Sequence, residues 1–123
     1  RVLTTEVADD GGHCSLAANQ FTLAAGTYRI HASAPALYTN RHQTALWNSA
    51  DAAGTFTLVG TSEYASVGST PSSSVIAGQF TIAAPATFEI QHRCESTKAA
   101  NGFGNGSNFT TEVYTVVELW KVA

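Results

Sequence analysis

The sequence predicts an all-β domain, a two-sheet antiparallel sandwich of the jelly-roll type. Apolar and polar residues alternate with period two in many short segments, and no window keeps a helical spacing of apolar residues over three turns. A strand-like Gln-Phe-Thr segment, followed by a turn and a second strand-like segment, occurs twice, at residues 20–31 and 79–92. A duplicated unit among many short strands fits the two interleaved Greek keys of a jelly roll.

The two copies of the repeat are offset by 59 residues at their Gln-Phe-Thr start and by 60 at the Thr-aromatic pair that follows the turn. One residue has therefore been inserted in the turn of the second copy. Each copy reads as a strand, a tight turn rich in Ala, Gly or Pro, and another strand. We predict a β-hairpin for each copy, with equivalent strands in equivalent places of the sandwich.

The other strands are predicted from alternation between turn-rich segments at residues 9–12, 48–51, 68–71 and 101–106. The full set of predicted strands, in chain order, is 3–7, 14–16, 20–23, 27–34, 42–48, 55–59, 62–65, 75–82, 87–94 and 113–121. Strands of this length at regular spacing are typical of sandwiches and barrels.

The last predicted strand, 113–121, is apolar on both faces. Val117 and Leu119 point to one side, and Val116 and Trp120 point to the other. Such a pattern is typical of a central strand covered on both sides. We expect one face to lie in the core and the other to contact a neighbouring subunit through Tyr114, Val116 and Trp120.

Length and composition indicate one domain that associates with copies of itself. The 123 residues suffice for a single core, so residues 1–123 are predicted to be one jelly-roll domain. Because the chain begins with Arg1 rather than Met, we expect a fragment or a terminal domain of a longer polypeptide. Charged residues make up 12%, against about 25% in a typical soluble domain. Few ions would then need desolvating at a subunit interface.

Several function classes are disfavoured. The net charge of −3 and the scattered Lys and Arg argue against a nucleic-acid partner. No apolar run approaches 18 residues, which argues against membrane insertion by a helix. The acidic residues are separate along the chain, and neither a nucleophile elbow nor a phosphate-binding loop occurs. We therefore predict that the protein is not an enzyme and uses no cofactor.

The cysteines and histidines leave alternatives open. Cys14 and Cys94 could form a disulfide, which would add about 4 kcal/mol in the chain-entropy model, or they could be two buried thiols. His31, His42 and His92 could bind a metal together. They lack the spacing and the carboxylate partners of a metal site, so we predict structural hydrogen bonds and no metal.

Two polar segments contain the residue types that bind carbohydrate, in which aromatic rings stack on apolar sugar faces and amide or guanidinium groups bind hydroxyls. The alternative is that their aromatic rings only attach the loops to the body of the domain. The candidate ligand-binding residues are Tyr38, Asn40, Arg41 and His42 in the first segment, and Phe103, Asn105 and Phe109 in the second.

Several blocks of the sequence resemble a known family. The segments 20–23 and 25–30 resemble the paired strands, with their Phe, Gly and Tyr, of C1q-like and tumour-necrosis-factor-like (TNF-like) domains, and 114–120 is similar to the last strand of those domains, which runs through the trimer centre. A more specific resemblance, to the bacteriophage version of these domains, covers residues 14 to 121. It is carried by the blocks 26–30, 41–48, 60–64, 88–94 and 112–115.

The bacteriophage version occurs at the ends of tail fibres, head spikes and related proteins of phage-like gene-transfer particles. The resemblance implies a homotrimeric jelly-roll head on the surface of a virion, connected to other fibre or baseplate proteins. Such a head attaches the particle to a host cell-surface polysaccharide. Two alternatives stay open: a structural trimerisation or capping module of a virion protein, and a secreted bacterial C1q-like binding protein.

Overall fold

The computed structural model describes residues 1–66 and 70–123, and within them it shows strands in two antiparallel sheets and no helix. No helix long and apolar enough to cross a membrane occurs in the described ranges. The predicted turn at 68–71 lies partly outside them. The strands are β1 Cys14–Ala17, β2 Gln20–Leu23, β3 Gly26–Ala36, β4 Asn40–Asn48, β5 Leu58–Val59, β6 Glu63–Ala65, β7 Ser72–Ile82, β8 Ala86–Cys94 and β9 Val116–Lys121.

The prediction of an all-β protein with two antiparallel sheets is confirmed. Sheet A has the order β1-β2-β8-β4-β5, with β6 also paired to β4, and sheet B has the order β7-β3-β9. The inner faces of the two sheets enclose one apolar core, because alternate residues of each long strand are buried. The core is formed by Phe21, Leu23, Tyr28, Ile30, Ala32, Leu46, Ile76, Phe80, Phe88 and Ile90.

The prediction that each repeat forms a β-hairpin is wrong. Strands β2 and β3 of the first copy lie in different sheets, and so do β7 and β8 of the second copy. In each copy the short turn carries the chain from one sheet to the other. The long ladder between β3 and β7, which pairs Gly26–Ala36 with Ser72–Ile82, satisfies far more backbone groups than a hairpin with the four residues of β2 would.

The strands of one copy pair with the opposite strands of the other. Strand β2 pairs with β8, so that Phe21 faces Phe88, and β3 pairs with β7, so that Tyr28 faces Phe80. Both aromatic pairs are stacked with ring centroids 5.9 Å apart, and Phe80 meets Phe88 edge-on at 5.3 Å. The repeat therefore builds the centre of the core from four aromatic rings related by an approximate two-fold axis.

A buried polar cluster joins the two sheets beside this core. The Ser74 hydroxyl lies 2.8 Å from the Thr44 hydroxyl and donates to the Thr61 carbonyl at 2.6 Å. The Thr44 amide donates to Ser74 Oγ at 2.9 Å. A side chain at Gly60 would collide with this cluster, because its Cβ would lie 2.3 Å from Thr44 Oγ1. Only glycine fits at position 60, because the backbone there lies close to the side chains of Thr44 and Ser74.

Two predicted strands differ from the structure. Residues 3–7 form no strand, because only Leu3 is anchored, by its amide to Asn19 Oδ1 at 3.2 Å, and residues 4–8 are exposed. The last strand begins at Val116 rather than 113. It pairs only with β3 and is an edge strand, so the prediction of a central strand is wrong for the single chain. Its expected core face is confirmed, since Val117 and Leu119 pack against the core.

The ends of six strands bring three connecting segments to one end of the sandwich. Strands β3, β6 and β8 finish there, and β4, β7 and β9 begin there. We call this region the loop end and define it as residues 37–41, 64–66, 70–72 and 95–115. Because all six strands are fixed in the sheets, the loop end has a rigid base.

Candidate functional site

The structure brings the two predicted ligand-binding segments together at the loop end. The Ser96 amide donates to the Thr39 carbonyl at 3.0 Å, and Asn40 Nδ2 donates to Ser96 Oγ at 3.3 Å. Further along, the Leu37 amide donates to the Gly102 carbonyl at 3.1 Å. The long segment 95–115 is thus joined to the short turn 37–39 by backbone and side-chain hydrogen bonds.

The turn around Thr39 has an unusual backbone. Tyr38 and Asn40 have positive φ angles of 59° and 58°, which asparagine tolerates and tyrosine rarely adopts. Thr39 between them is 2% exposed, and within the described ranges its hydroxyl has no hydrogen-bond partner. Such a conformation costs about 1–3 kcal/mol per residue and persists only where surrounding contacts hold it. The hydrogen bonds of Thr39 and Asn40 with Ser96 provide that restraint.

Arg41 is displayed at the edge of the loop end. Its Nε and Nη2 donate to the two carboxylate oxygens of Glu95, each at 3.3 Å. The Arg41 side chain is 80% exposed, so the pair contributes at most about 1 kcal/mol to stability. The guanidinium is oriented by Glu95 and stays accessible to a ligand.

His42 is not displayed to a ligand. It lies in β4, is 4% exposed and faces the space between the sheets. Its Nδ1 lies 2.9 Å from His92 Nε2, and its Nε2 lies 2.8 Å from Ser72 Oγ. The expectation that His42 contacts a glycan is therefore corrected, because strand alternation puts its side chain on the inner face with Thr44 and Leu46.

These histidines belong to a hydrogen-bonded chain with one direction. Arg1 Nε donates to His92 Nδ1 at 2.8 Å, so His92 carries its proton on Nε2 and donates to His42. His42 then donates from Nε2 to Ser72, and Ser72 donates to the Tyr64 carbonyl at 3.1 Å. The Arg1 guanidinium also donates to the Pro35 carbonyl. The chain thereby connects both sheets beneath the loop end.

The electrostatics keep both histidines neutral. Burial lowers the pKa of His92 from 6.5 to about 3, and the nearby positive charge of Arg1 lowers it further. Burial also lowers the pKa of His42. Burial lowers the pKa of Arg1 to about 10, so its guanidinium is still a donor at neutral pH.

The direction of these hydrogen bonds decides whether His42 can act as a general base toward Ser72. Because His42 donates to Ser72, it cannot at the same time accept the serine proton as a general base would.

The three histidines that were candidate metal ligands are divided between the sheets. His31 lies in β3, with Nδ1 4.0 Å from Glu118 Oε1. No group of three or more metal-ligating side chains occurs in the part of the chain that the structure describes.

The Glu112 carboxylate fixes the tip of the segment 95–115. Glu112 accepts hydrogen bonds from the Ser107 amide at 2.9 Å and the Asn108 amide at 2.6 Å, and these two bonds lower its pKa. The neighbouring Phe109 is 91% exposed, so its ring is displayed rather than used to attach the loop. Asn105 is also exposed and lines a small depression with Tyr114 and Pro71.

Phe103 has a different environment. The Arg1 guanidinium carbon lies 4.3 Å from the centre of its ring, a cation–π contact, while the Phe103 side chain is still exposed. One ring face is therefore taken by an internal partner. Tyr64 is a further exposed aromatic residue at the loop end that sequence reasoning missed. Its place opposite Arg41 in the β4–β6 pairing follows from register, which the sequence does not specify.

Two of the three predicted interface residues lie in β9, and the third precedes it. Val116 and Trp120 lie on the outer face of sheet B, and Trp120 is 51% exposed. Tyr114 precedes β9 and sits at the loop end against Gly104, where a Cβ would come within 2.8 Å of the Tyr114 ring. Tyr114 is therefore separated from the other two by the start of the strand.

The alternative of a disulfide between Cys14 and Cys94 is excluded by their positions. Cys14 lies opposite Leu23, which pairs with Ala86 at the start of β8, whereas Cys94 ends β8. The length of β8 separates them by about 26 Å, and a disulfide needs Cα atoms within about 7 Å. Both cysteines are free. Cys14 is partly buried, which raises the pKa of its thiol, and Cys94 is exposed.

No protein-family model matches this chain, and neither the curated proteins nor the solved structures give a match. The resemblance to C1q-like and TNF-like domains therefore stays a prediction. The sandwich architecture rests on the sheet order and register described above.

Proposed function

We propose that this domain is a non-catalytic adhesion head that binds glycans of a host cell surface through the loop end. One observation carries the proposal. Four aromatic side chains are exposed at the loop end, which also carries the oriented guanidinium of Arg41. They are Tyr64, Phe103, Phe109 and Tyr114.

The arrangement suits weak, specific binding of sugars. Exposed rings offer flat apolar surfaces for the carbon–hydrogen faces of a sugar, and Arg41 and Asn40 offer donors for its hydroxyls. Glu112 fixes the loop that carries Phe109, so less conformational entropy is lost when a ligand binds.

The assembly belongs to the same proposal. The domain is proposed to be a jelly roll that forms a homotrimer on a virion, connected to other fibre or baseplate proteins. Three sites on one rigid body gain avidity on a repeating polysaccharide, so single-site dissociation constants of about 1 mM suffice. Val116 and Trp120 on the outer face of sheet B are proposed to lie in the subunit interface, because exposed apolar side chains on a sheet favour association.

A second candidate is a structural trimerisation or capping module, with recognition elsewhere on the particle. The exposed Val116 and Trp120 favour it, since they would serve assembly without any ligand. The two candidates differ at the loop end, which a purely structural module does not need.

Binding to immobilised bacterial lipopolysaccharides and capsular polysaccharides distinguishes the candidates. We expect the protein to bind at least one of them, and Phe109→Ala and Arg41→Ala each to weaken binding about tenfold without a change in mass or thermal stability. Val7→Ala, an exposed apolar residue outside the strands, is the matched control and should bind normally. If both loop variants adsorb as strongly as the unsubstituted protein, the loop end is not the receptor site and the structural module is favoured.

A further inference from the structure

We infer that a groove across the outer face of sheet A binds a linear, uncharged oligosaccharide. This inference rests on the proposed glycan adhesion and adds a second contact region to it. The groove has a volume of about 940 Å³ and lies over strands β4 and β8. Its size is at the upper end of the range for small-molecule sites and allows several sugar units.

The floor of the groove is polar and is fixed by strand pairing. Gln43 faces Arg93 across the β4–β8 ladder, and Ala45 faces Gln91. Each of these side chains points outward, because the alternate residues Leu46 and Ile90 point into the core. Ala45 is the only small residue among the four, so it provides the depth of the groove, while amide and guanidinium groups surround it.

One carboxylate on the floor is held by amides. Gln91 Nε2 donates to Glu89 Oε1 at 2.7 Å, and Gln20 Nε2 donates to Glu89 Oε2 at 3.1 Å. Both hydrogen bonds lower the pKa of Glu89, and the bond from Gln91 has the larger effect, so Glu89 is ionised at neutral pH. A carboxylate accepts more than two hydrogen bonds, and each amide has a second N–H. The group can thus bind sugar hydroxyls as both donor and acceptor without rearrangement.

The walls of the groove are partly apolar. Phe56 and Val59 form one wall, beyond β4, and Val2 with Asn19 forms the other, beyond β8. Phe56, Val59 and Val2 are exposed. An apolar wall above a polar floor matches a sugar ring, whose hydroxyls lie around its edge and whose faces carry C–H groups.

The same features disfavour other ligands. A peptide that adds as a strand needs a free sheet edge, but β8 is paired with β2 and β4, and β4 is paired with β8, β5 and β6. Nucleic acid or an acidic polysaccharide would meet the ionised Glu89 in the floor. Arg1 also lines the groove, but its guanidinium donates to His92 and to the Pro35 carbonyl. Glu89 and Arg93 are therefore the charged side chains on the floor, and an uncharged oligosaccharide fits their balance of charge.

The groove is continuous with the loop end. Phe103 lines the groove and also belongs to the loop end, where Arg1 holds one face of its ring. A chain of sugars lying in the groove can therefore extend past Phe103 toward the exposed aromatic residues at the loop end.

The test uses Ala45→Gln, because Ala45 is only 6% exposed at the bottom of the groove and the longer glutamine side chain fills the space above it. Ala77→Gln on the outer face of sheet B is the control for the same substitution at an exposed, outward-facing alanine of a strand. The probes are cellohexaose, maltohexaose, mannohexaose, xylohexaose and chitohexaose, with hexagalacturonate as the acidic comparison. Binding is measured by amide chemical-shift titration, and folding is checked by thermal melting.

We expect at least one uncharged hexasaccharide to shift the amides of Gln43 and Gln91, and Ala45→Gln to weaken that binding about tenfold while Ala77→Gln changes it less than about twofold. Undiminished binding by folded Ala45→Gln overturns the groove but leaves the loop-end proposal standing. Tightest binding of hexagalacturonate, or no shift with any hexasaccharide, also overturns the groove. The proposed function fails separately, if the immobilised polysaccharides are not bound at all.

Discussion

The side-chain hydroxyls of Thr22 and Thr87 lie 2.8 Å apart across the β2–β8 ladder. The equivalent residues of the other strand pair, Thr27 and Thr81, repeat the same distance across the β3–β7 ladder. Each threonine of one repeat thus contacts the threonine of the opposite strand in the other repeat. The duplication in the sequence therefore appears in the structure as two equivalent strand pairs, one in each sheet of the sandwich.

The aromatic cluster should dominate stability. Phe88→Ala removes a fully buried ring that contacts both Phe21 and Phe80, so we expect a loss of about 3–5 kcal/mol in the free energy of unfolding, measured with urea. Thr81→Ala, an exposed position of the repeat, should cost less than about 1 kcal/mol. A Phe88→Ala protein as stable as Thr81→Ala would contradict the central place of the cluster.

Gly60→Ala should be destabilising although alanine is a small residue. The added methyl would lie 2.3 Å from Thr44 Oγ1 and 3.0 Å from Ser74 Oγ, both fully buried, so we expect a loss of about 1–3 kcal/mol. Gly78→Ala is the control, because its methyl would meet only the flexible end of Leu58 at 3.1 Å. Urea unfolding of the two variants makes the comparison, and equal stabilities would argue against the crowding described at Gly60.

The protein should lose stability in mildly acidic solution because of His92. The pKa of His92 in the folded protein is about 3, below its ordinary value of 6.5, so the unfolded chain takes up the proton first as the pH falls. The stabilisation is complete above pH 6.5 and decreases toward pH 3, by at most about 1.4 kcal/mol per pH unit for this one group. Solvent screening of the partly exposed ring reduces that slope.

Unfolding curves between pH 5 and 7 measure this effect, since the carboxylates titrate lower. His92→Gln keeps a side-chain amide near Arg1 and cannot titrate, so its stability should change less over the same interval. An unchanged slope in His92→Gln would show that another group carries the dependence.

Trp120→Asp should give monomers or insoluble protein if the outer face of sheet B is the trimer interface. A carboxylate in place of an exposed ring on that face would have to be desolvated on association. Light scattering after size exclusion measures the mass, and Val7→Asp serves as the control for an added surface charge. If Trp120→Asp still formed a normal trimer, the assignment of β9 to the interface would be wrong.

Glu112→Gln should release the loop that displays Phe109. The neutral amide is a weaker acceptor than the carboxylate for the Ser107 and Asn108 amides, so hydrogen exchange at these two amides should accelerate. Exchange at β8, for instance at Ile90, should be unchanged, because the loop does not support the sheet. Slow exchange at Ser107 in the variant would contradict the role given to Glu112.

Most strands were predictable from the sequence, whereas their partners were not. Alternation of apolar and polar residues identified residues 20–23 and most of β7 and β8, because it depends on local period alone. The pairing of β2 with β8, rather than with β3, depends on which strand gives more backbone hydrogen bonds, and that strand is distant in the sequence. A period-two pattern contains no information about that choice.

The candidate site was predictable to a similar degree. Residue chemistry identified Arg41 and Phe109, which are exposed at the loop end. His42 was misplaced although it lies in the predicted strand 42–48, because the sequence does not show which face of that strand is buried. The structure buries the face of His42, Thr44 and Leu46 between the sheets. The contact between Glu112 and the Ser107 and Asn108 amides, which orients the tip, depends on loop conformation and has no signature in the sequence.

The crossed pairing of the repeats also sets the order of events during synthesis. The partner of Thr22 lies 65 residues further along the chain, and at about 5–20 residues per second a ribosome needs roughly 3–13 s to reach it. During that time β2 and β3 have no partner from the second repeat, so the first repeat is not a folding unit by itself. The nascent chain must stay soluble with unpaired strand edges until its second half leaves the ribosome. The polar Ser, Thr and Gln residues on the outer faces of its strands help to keep it soluble.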